Sequence, residues 1–188
     1  DRALKPLNGP GLMTTQKPLK LACIGCGARA QTYTQLAAHQ PGRFHIVAGA
    51  DPVPERVDKI RRISGNPDFR GFPGAEAILS AGKLADVMIV ATQDNFHFDN
   101  CRGALKLGYD VLLEKPISTR LEQVLEIERL ARQAGRRVMV CFVLRFAAFY
   151  RKVKEIIDSG ALGDLVSIQA NEGVNPWHQA HSFVRGHW

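Results

Sequence analysis

Short apolar runs alternate with amphipathic stretches along most of the chain from Leu19 onward. The apolar runs predict strands at residues 20–25, 44–50, 85–92, 110–115 and 136–143. In the stretches between them, apolar positions recur every three or four residues, which predicts helices at 28–40, 53–64, 75–81, 96–108 and 119–134. Strands that alternate with helices are typical of parallel sheets, whose strands are joined by crossover helices. The pattern therefore predicts an α/β fold with a doubly wound, mostly parallel sheet.

The pattern changes after residue 143. Residues 147–158 predict one more amphipathic helix, and residues 165–173 predict a strand that has no return partner in the sequence. We expect a tail at residues 1–17 that is flexible or vector-derived, a complete domain at 18–143, and the beginning of a second, incomplete domain at 144–188. A lone strand with a bare apolar face indicates that this sequence is part of a longer protein.

The stretch CIGCGARAQ lies between the first predicted strand and the first predicted helix. Within it, Gly25-x-Gly27-x-x-Ala30 has the spacing of a turn that wraps the diphosphate of a dinucleotide. Gly25 permits the tight turn, Gly27 lets backbone amides approach the phosphates, and Ala30 lets the helix pack on the sheet. The helix then begins at Ala28 and directs its positive end at the phosphates. Arg29 either adds a cationic contact or faces solvent.

The same stretch contains Cys23-x-x-Cys26, which has the spacing of a redox dithiol or of half a zinc site. A structural zinc ion needs four ligands, and the remaining cysteines, Cys101 and Cys141, stand alone in a predicted helix and strand. The dinucleotide interpretation is therefore favoured, and we expect no metal. Unpatterned cysteines also suit a reducing compartment.

Asp51 ends the second predicted strand, where a dinucleotide site of this kind places an acidic residue. A carboxylate at this point accepts hydrogen bonds from the ribose hydroxyls and repels a 2'-phosphate. This predicts NAD as the cofactor and makes NADP the less favoured alternative. Three nearby cations could still hold the extra phosphate if they turn inward, namely Arg56, Arg61 and Arg62.

Composition excludes several other classes of partner. The formal net charge is +7, but the basic residues are dispersed along helices and are not interleaved with aromatic rings, which argues against a nucleic-acid partner. No apolar run approaches the roughly 18 residues of a membrane span, and the N-terminus lacks the apolar core of a secretory signal. We expect a cytoplasmic protein without a membrane partner.

Three further motifs, together with the glycine-rich turn, cover nearly the whole chain from residue 19: ATQDNFH (91–97), EKPIS (114–118) and LRFAAFYRKVKEIIDSGALGDLVSIQA (144–170). In this order and spacing they resemble the Gfo/Idh/MocA oxidoreductases, whose cofactor domain is a Rossmann fold. The resemblance implies that Lys115 binds a substrate hydroxyl beside the nicotinamide as the catalytic lysine. It also implies a cofactor cleft lined by Thr92, Asn95, His97 and Glu114, with Glu114 orienting Lys115. Taken alone, His97 would be a surface histidine and Lys115 a strand-end lysine.

The segment HSFVRGHW resembles a family segment along the substrate cavity, so His181, Arg185 and Trp188 are candidate substrate contacts. The resemblance implies hydride transfer between NAD and a sugar, inositol or similar polyol by a homo-oligomeric longer protein, with the usual general acid/base His beyond residue 188. We expect this chain alone to show little or no turnover. An NAD-dependent glycoside hydrolase, which would not reduce added NAD in net terms, remains an alternative. Another alternative is a non-catalytic NAD-binding module, whose properties would survive Lys115→Ala.

Overall fold

The computed structural model describes residues 17–180 and residue 184. Its centre is a six-stranded sheet in the order β3-β2-β1-β4-β5-β6, in which all neighbouring strands are parallel. The strands are β1 (Leu19–Ile24), β2 (Phe44–Ala50), β3 (Arg70–Phe72), β4 (Val87–Val90), β5 (Asp110–Leu113) and β6 (Val138–Val140). The strand order reverses between β1 and β4. In such sheets ligands bind in the crevice outside the carboxyl ends of the strands at this point.

Helices connect the strands as crossovers, in agreement with the alternation in the sequence. They are α1 (Ala28–Ala38), α2 (Pro54–Ser64), α3 (Ala75–Ser80), α4 (His97–Lys106), α5 (Leu121–Ala134), α6 (Ala148–Asp158) and α7 (Pro176–Gln179). Short 3₁₀-helices occupy Asp94–Phe96 and Val143–Phe146. Both α2 and α5 end at a glycine in the left-handed conformation, Gly65 and Gly135.

Two apolar clusters cover the two faces of the sheet. On one face, Ala30 and Ala37 of α1 and Ile60 of α2 pack with Cys23 and Ile89. On the other face, residues of α3, α4 and α5 pack against the central strands, including Ile78, Cys101, Leu105, Ile127 and Ala131. The central strands are apolar on both sides because both sides are covered. The predicted doubly wound α/β fold is confirmed.

Two sequence predictions fail in detail. The three-residue strand β3 was not predicted, because Arg70 and Gly71 are exposed and give no apolar run. The strand predicted at 165–173 is wrong, since residues 165–175 have no regular secondary structure. A strand needs a hydrogen-bonded neighbour, and no described residue pairs with this segment. Its apolar side chains are nevertheless open to solvent, with Val166 96% exposed and Ile168 75% exposed.

Beyond β6 the chain leaves the sheet. The amphipathic helix α6 has no buried residue, and its apolar positions Phe149, Val153 and Ile156 are exposed. The proposed domain boundary at residue 143 falls at this change and remains a prediction. None of the helices in the described part of the chain is long and apolar enough to cross a membrane.

Candidate functional site

The glycine-rich turn connects β1 to α1 at the switch point of the sheet. Gly25 adopts a left-handed conformation with φ of +85°, which strongly favours glycine. A Cβ atom at this position would lie 2.6 Å from the carbonyl oxygen of Ala91, at the end of β4. Gly25 therefore allows the backbones of the first and fourth strands to approach each other closely at the base of the crevice.

Gly27 has a different role from Gly25. Its φ of −71° is open to any residue, and a Cβ atom added there would meet no atom within 4 Å. It precedes the first turn of α1, and no described side chain caps this helix. The start of α1 is therefore uncapped, and the space beside Gly27 is open. Amides at a helix start, together with the positive end of the helix dipole, form an anion-binding surface.

The side chains that follow Gly27 divide between core and surface. Ala30 is fully buried in the cluster beneath α1, whereas Ala28 and Arg29 are exposed. The small side chain of Ala30 thus lets the helix pack tightly on the sheet, as the spacing predicted.

Asp51 follows β2 directly and is only 4% exposed. Its Oδ2 accepts a 2.8 Å hydrogen bond from the amide of Cys26, and its Oδ1 accepts a 2.9 Å hydrogen bond from the amide of Val53. The guanidinium of Arg56, which is half-exposed, lies 3.6 Å from Oδ1. A carboxylate offers about four acceptor positions. With two of them engaged by hydrogen bonds, Asp51 retains acceptor positions for a ligand hydroxyl, one of them on the side of Arg56.

The thiols of Cys23 and Cys26 point into the core rather than toward the crevice. Both residues are fully buried, and the sulfur of Cys26 packs near Gly49 and Phe69. Burial raises the pKa of Cys23 from 9.0 to about 12 and also raises that of Cys26. Within the described ranges, 17–180 and 184, no group of three or more His, Cys, Asp or Glu side chains could hold a metal ion. Thiols that stay protonated are poor nucleophiles and poor metal ligands.

The segment after β4 brings Thr92, Asn95 and His97 to the same edge of the sheet. Asn95 is exposed in the 3₁₀-helix, whereas His97 is fully buried at the start of α4. Both ring nitrogens of His97 contact backbone carbonyls: Nδ1 lies 2.6 Å from the oxygen of Pro116, and Nε2 lies 3.1 Å from that of Thr92. The side-chain amide of Asn100 donates to the hydroxyl of Thr92 at 3.3 Å. His97 thus lies beneath the crevice surface, and Asn95 lies on it.

Lys115 and Glu114 follow β5, but they do not pair with each other through their side chains. The carboxylate of Glu114 accepts a short hydrogen bond from the hydroxyl of Tyr33 and lies 3.3 Å from Nε of Arg29. Its other oxygen accepts from the backbone amide of Lys115 at 3.2 Å. The side chain of Lys115 is exposed, and the Lys115–Pro116 peptide is cis. Glu114 therefore orients the main chain of Lys115 and ties α1 to β5.

Three neighbours of these residues were not identified from the sequence. Tyr33 lies one helical turn after Arg29, and Asn100 lies one turn after His97, so helical spacing would have indicated both. Burial raises the pKa of Tyr33, and its hydrogen bonds to Cys141 and Glu114 add to the shift. The third neighbour is Asp94, whose Oδ1 is buried and has no hydrogen-bond partner in the part of the chain that the structure describes. No sequence signal marks Asp94.

A dinucleotide fits these features. The space beside Gly27 and the uncapped start of α1 suit a diphosphate, and the carboxylate of Asp51, which is bonded to the same turn, can accept a hydrogen bond from a ribose hydroxyl. Asp94 supplies an unsatisfied acceptor on the β4 side of the same edge. The candidate substrate contacts His181, Arg185 and Trp188 lie outside the described residues.

Comparisons with known proteins agree with this geometry. A family profile described as an oxidoreductase family with an NAD-binding Rossmann fold, GFO_IDH_MocA, matches residues 19–142. Inositol 2-dehydrogenase 3 of Saccharopolyspora erythraea is 30% identical over 77% of this chain and 42% of its own length. D-glucoside 3-dehydrogenase of Escherichia coli is 29% identical over 80% of this chain and 42% of its own length.

A solved structure shows the same relationship. The WlbA dehydrogenase from Bordetella pertussis, in complex with NADH and UDP-GlcNAcA, superimposes with a TM-score of 0.71 at 26% identity, covering 78% of this chain and 44% of that protein. The chain thus spans less than half the length of the proteins it matches. The profile match extends over most of the described residues and includes every strand of the sheet. The chain therefore belongs to the Gfo/Idh/MocA family of oxidoreductases, which have an NAD-binding Rossmann fold.

Proposed function

We propose that this chain is the cofactor-binding half of an NAD-dependent dehydrogenase and binds the dinucleotide across the crevice between β1 and β4. The observation that carries the proposal is that the open space beside Gly27 and the carboxylate of Asp51 belong to the same hydrogen-bonded turn. Gly27 leaves open space at an uncapped helix start, and Asp51 presents a buried carboxylate that is hydrogen-bonded to the same turn. The turn receives the diphosphate, and Asp51 receives the adenosine ribose. Nicotinamide, when bound, supplies hydride chemistry.

We assign NAD rather than NADP on the environment of Asp51. A 2'-phosphate would bring negative charge toward a carboxylate that is 4% exposed and has little water to screen it. Arg56, 3.6 Å from the carboxylate, offsets part of this repulsion. Arg61 is engaged elsewhere, since it donates a 2.9 Å hydrogen bond to Asp58 and its guanidinium lies 5.7 Å from the centre of the Phe69 ring. We infer that repulsion by the Asp51 carboxylate outweighs attraction by Arg56, so the site favours a ribose with a free 2'-hydroxyl.

Lys115 is the residue to which we assign substrate binding. Its exposed side chain follows β5 at the same edge as Thr92, and no acidic side chain in the described region forms an ion pair with it. A free ammonium with three donors can bind a substrate hydroxyl next to the carbon that exchanges hydride with nicotinamide. The substrate class we propose for the longer protein is a sugar, inositol or similar polyol. The similarity to an inositol 2-dehydrogenase and a D-glucoside 3-dehydrogenase supports this substrate class.

The exposed apolar positions of α6 support a larger assembly. Phe149 is 71% exposed, and Val153 and Ile156 lie on the same side of the helix. Exposed apolar faces of this kind mark surfaces that another part of a protein covers. We propose that the substrate half of the longer protein covers α6 and that the complete protein is a homo-oligomer.

Titration with NADH and with NADPH tests the proposed function. We expect NADH to bind the 188-residue chain more tightly than NADPH. We expect Asp51→Ala to weaken NADH binding at least about tenfold, because it removes a charged hydrogen bond worth roughly 1.5 to 3 kcal/mol. Asp58→Ala is the matched control, since this exposed carboxylate pairs only within α2. If the wild-type chain binds neither nucleotide, the proposal fails. Equal effects of the two aspartate variants would remove the ribose assignment.

A further inference from the structure

His97 contacts the backbone of two loops that emerge from neighbouring strands. Its ring is fully buried at the first position of α4. Nδ1 lies 2.6 Å from the carbonyl oxygen of Pro116, after β5, and Nε2 lies 3.1 Å from the carbonyl oxygen of Thr92, after β4. The ring therefore bridges the two chain segments that border the crevice on this side.

The chemistry of the contacts assigns the ring proton. Carbonyl oxygens only accept hydrogen bonds, so a ring nitrogen that bonds to one of them must carry an N–H. Nδ1 makes the shorter of the two contacts, at 2.6 Å, and is therefore the nitrogen that we assign as the donor to the Pro116 carbonyl. The Thr92 segment has a second anchor, because Asn100, one turn along α4, donates to the hydroxyl of Thr92 at 3.3 Å. The Pro116 carbonyl thus depends on His97 more than the Thr92 segment does.

Lys115 lies between two points at which the main chain is held, and the bridge is one of them. On the strand side, the amide of Glu114 is held by the carbonyl of Val90 at 2.9 Å, and the amide of Lys115 is held by the carboxylate of Glu114 at 3.2 Å. The carboxylate of Glu114 is engaged by Tyr33 and Arg29 and does not restrain the ammonium of Lys115. On the far side, the next fixed point is the carbonyl of Pro116, held by His97.

We propose that His97 is a positioning residue: its Nδ1–H fixes the Pro116 carbonyl and thereby holds Lys115 at the nicotinamide end of the crevice without touching the dinucleotide. Naming the nicotinamide end rests on the proposed function above. The bridge itself rests only on the contacts of the ring. Loss of this buried hydrogen bond leaves a carbonyl without a donor, so the segment should open measurably without it.

Two substitutions separate the hydrogen bond from the volume of the ring. In His97→Asn the side-chain amide nitrogen lies near the position of Nδ1, whereas in His97→Gln it lies near that of Nε2. Gln is closer to His in volume, so a space-filling role predicts that Gln replaces His better than Asn does. The proposed hydrogen bond predicts the reverse.

Hydrogen exchange of the ligand-free chain provides the first measurement. We expect His97→Gln to accelerate amide exchange in residues 114–120 at least about fivefold and His97→Asn to stay within about twofold of wild type, as expected for loss or retention of one buried hydrogen bond. Exchange in β1 and α1 should not change in either variant.

The second measurement compares the binding of NADH with that of ADP-ribose, which lacks nicotinamide. His97→Gln should weaken NADH binding about fivefold and leave ADP-ribose binding within about twofold.

Several results would overturn the proposal. The first is equal amide exchange in residues 114–120 of the two variants, and the second is slower exchange there in His97→Gln than in His97→Asn. The third is an equal loss of NADH and ADP-ribose binding in His97→Gln. If neither variant folds, ¹⁵N NMR of histidine in the wild-type chain decides, because a proton found on Nε2 instead of Nδ1 contradicts the bridge. If the wild-type chain binds no nucleotide, the proposed function fails, while the exchange comparison still tests the bridge.

Discussion

The carboxylate of Asp51 accepts a 2.8 Å hydrogen bond from the backbone amide of Cys26, which lies between the two glycines of the turn after β1. The residue assigned to the adenosine ribose and the turn assigned to the diphosphate are therefore one hydrogen-bonded unit. Residues 25 positions apart in the sequence are held in a fixed relationship before any ligand arrives. Such preorganisation reduces the entropy lost on binding.

This relationship makes Asp51 important for stability as well as for binding. In Asp51→Asn, one of the two oxygens becomes an NH₂ group, so the amide of Cys26 or that of Val53 loses its acceptor. We expect the free energy of unfolding to fall by about 1 to 3 kcal/mol, the cost of an unsatisfied buried donor. Urea denaturation measures this change. Asp58→Asn, at an exposed site on α2, should change stability by less than about 0.5 kcal/mol, and a similar loss in both variants would contradict the buried role.

The two glycines of the turn should respond differently to the same substitution. Gly25→Ala combines a positive φ with a Cβ atom 2.6 Å from the Ala91 carbonyl oxygen, so we expect a loss of stability of at least about 2 kcal/mol. Gly27→Ala meets no protein atom and should keep stability within about 1 kcal/mol. Its methyl group would instead occupy the space beside the helix start.

The affinity for NADH tests the role of Gly27 separately from stability. Gly27→Ala should weaken NADH binding at least about tenfold while the chain remains folded, since the backbone can no longer approach the diphosphate closely. Fluorescence titration with NADH measures the affinity, and thermal unfolding confirms the folded state. Unchanged NADH affinity in a folded Gly27→Ala variant would argue against diphosphate binding at this turn.

The sequence was most informative where burial dictates residue type. Strand β4 and its neighbours are covered on both faces, so their apolar runs were visible, and the strand β2 was predicted with the bounds that the structure has. Short or unpaired segments gave weaker signals: β3 is an edge strand of three residues, and the apolar residues after 164 alternate like a strand but have no partner. Buried strands were therefore easier to predict than short edge strands or segments without a partner.

Side-chain partners depend on contacts between distant elements, which the sequence does not encode locally. The EKP motif indicated Glu114 as a neighbour of Lys115, but its carboxylate is engaged by Tyr33, 81 positions away, and by Arg29. Likewise, the predicted helix at 96–108 would by itself make His97 a surface histidine, whereas the structure buries the ring beneath two loops. The assigned roles of the individual site residues remain predictions that the variants described here address.

The contact between Tyr33 and Glu114 should contribute to the docking of α1 on β5. Tyr33→Phe removes a hydroxyl that donates to a carboxylate with only 10% of its side chain exposed. We expect the free energy of unfolding to fall by about 1.5 to 3 kcal/mol, as for hydrogen bonds to charged groups. Tyr150→Phe is the matched control, because this tyrosine lies on the exposed helix α6. Adding Glu114→Gln to Tyr33→Phe should cost less than the sum of the single changes, and strict additivity would show that the two side chains are independent.

The buried thiols predict a loss of stability at alkaline pH. Burial raises the pKa of Cys101 from 9.0 to about 12 in the folded chain, so above pH 9 the unfolded chain releases a proton that the folded chain retains. Stability is therefore full below pH 9 and falls as pH rises toward the folded value, by on the order of 1 kcal/mol per thiol between pH 8 and pH 10. Cys101→Ala should be less stable at pH 8 because of the cavity but should lose less stability on going to pH 10. Urea denaturation at pH 8, 9 and 10 measures how the free energy of unfolding changes with pH in the wild type and in Cys101→Ala. The titration of lysines and tyrosines contributes equally to both proteins. Parallel slopes would mean that the Cys101 thiol ionises equally in the folded and unfolded chains.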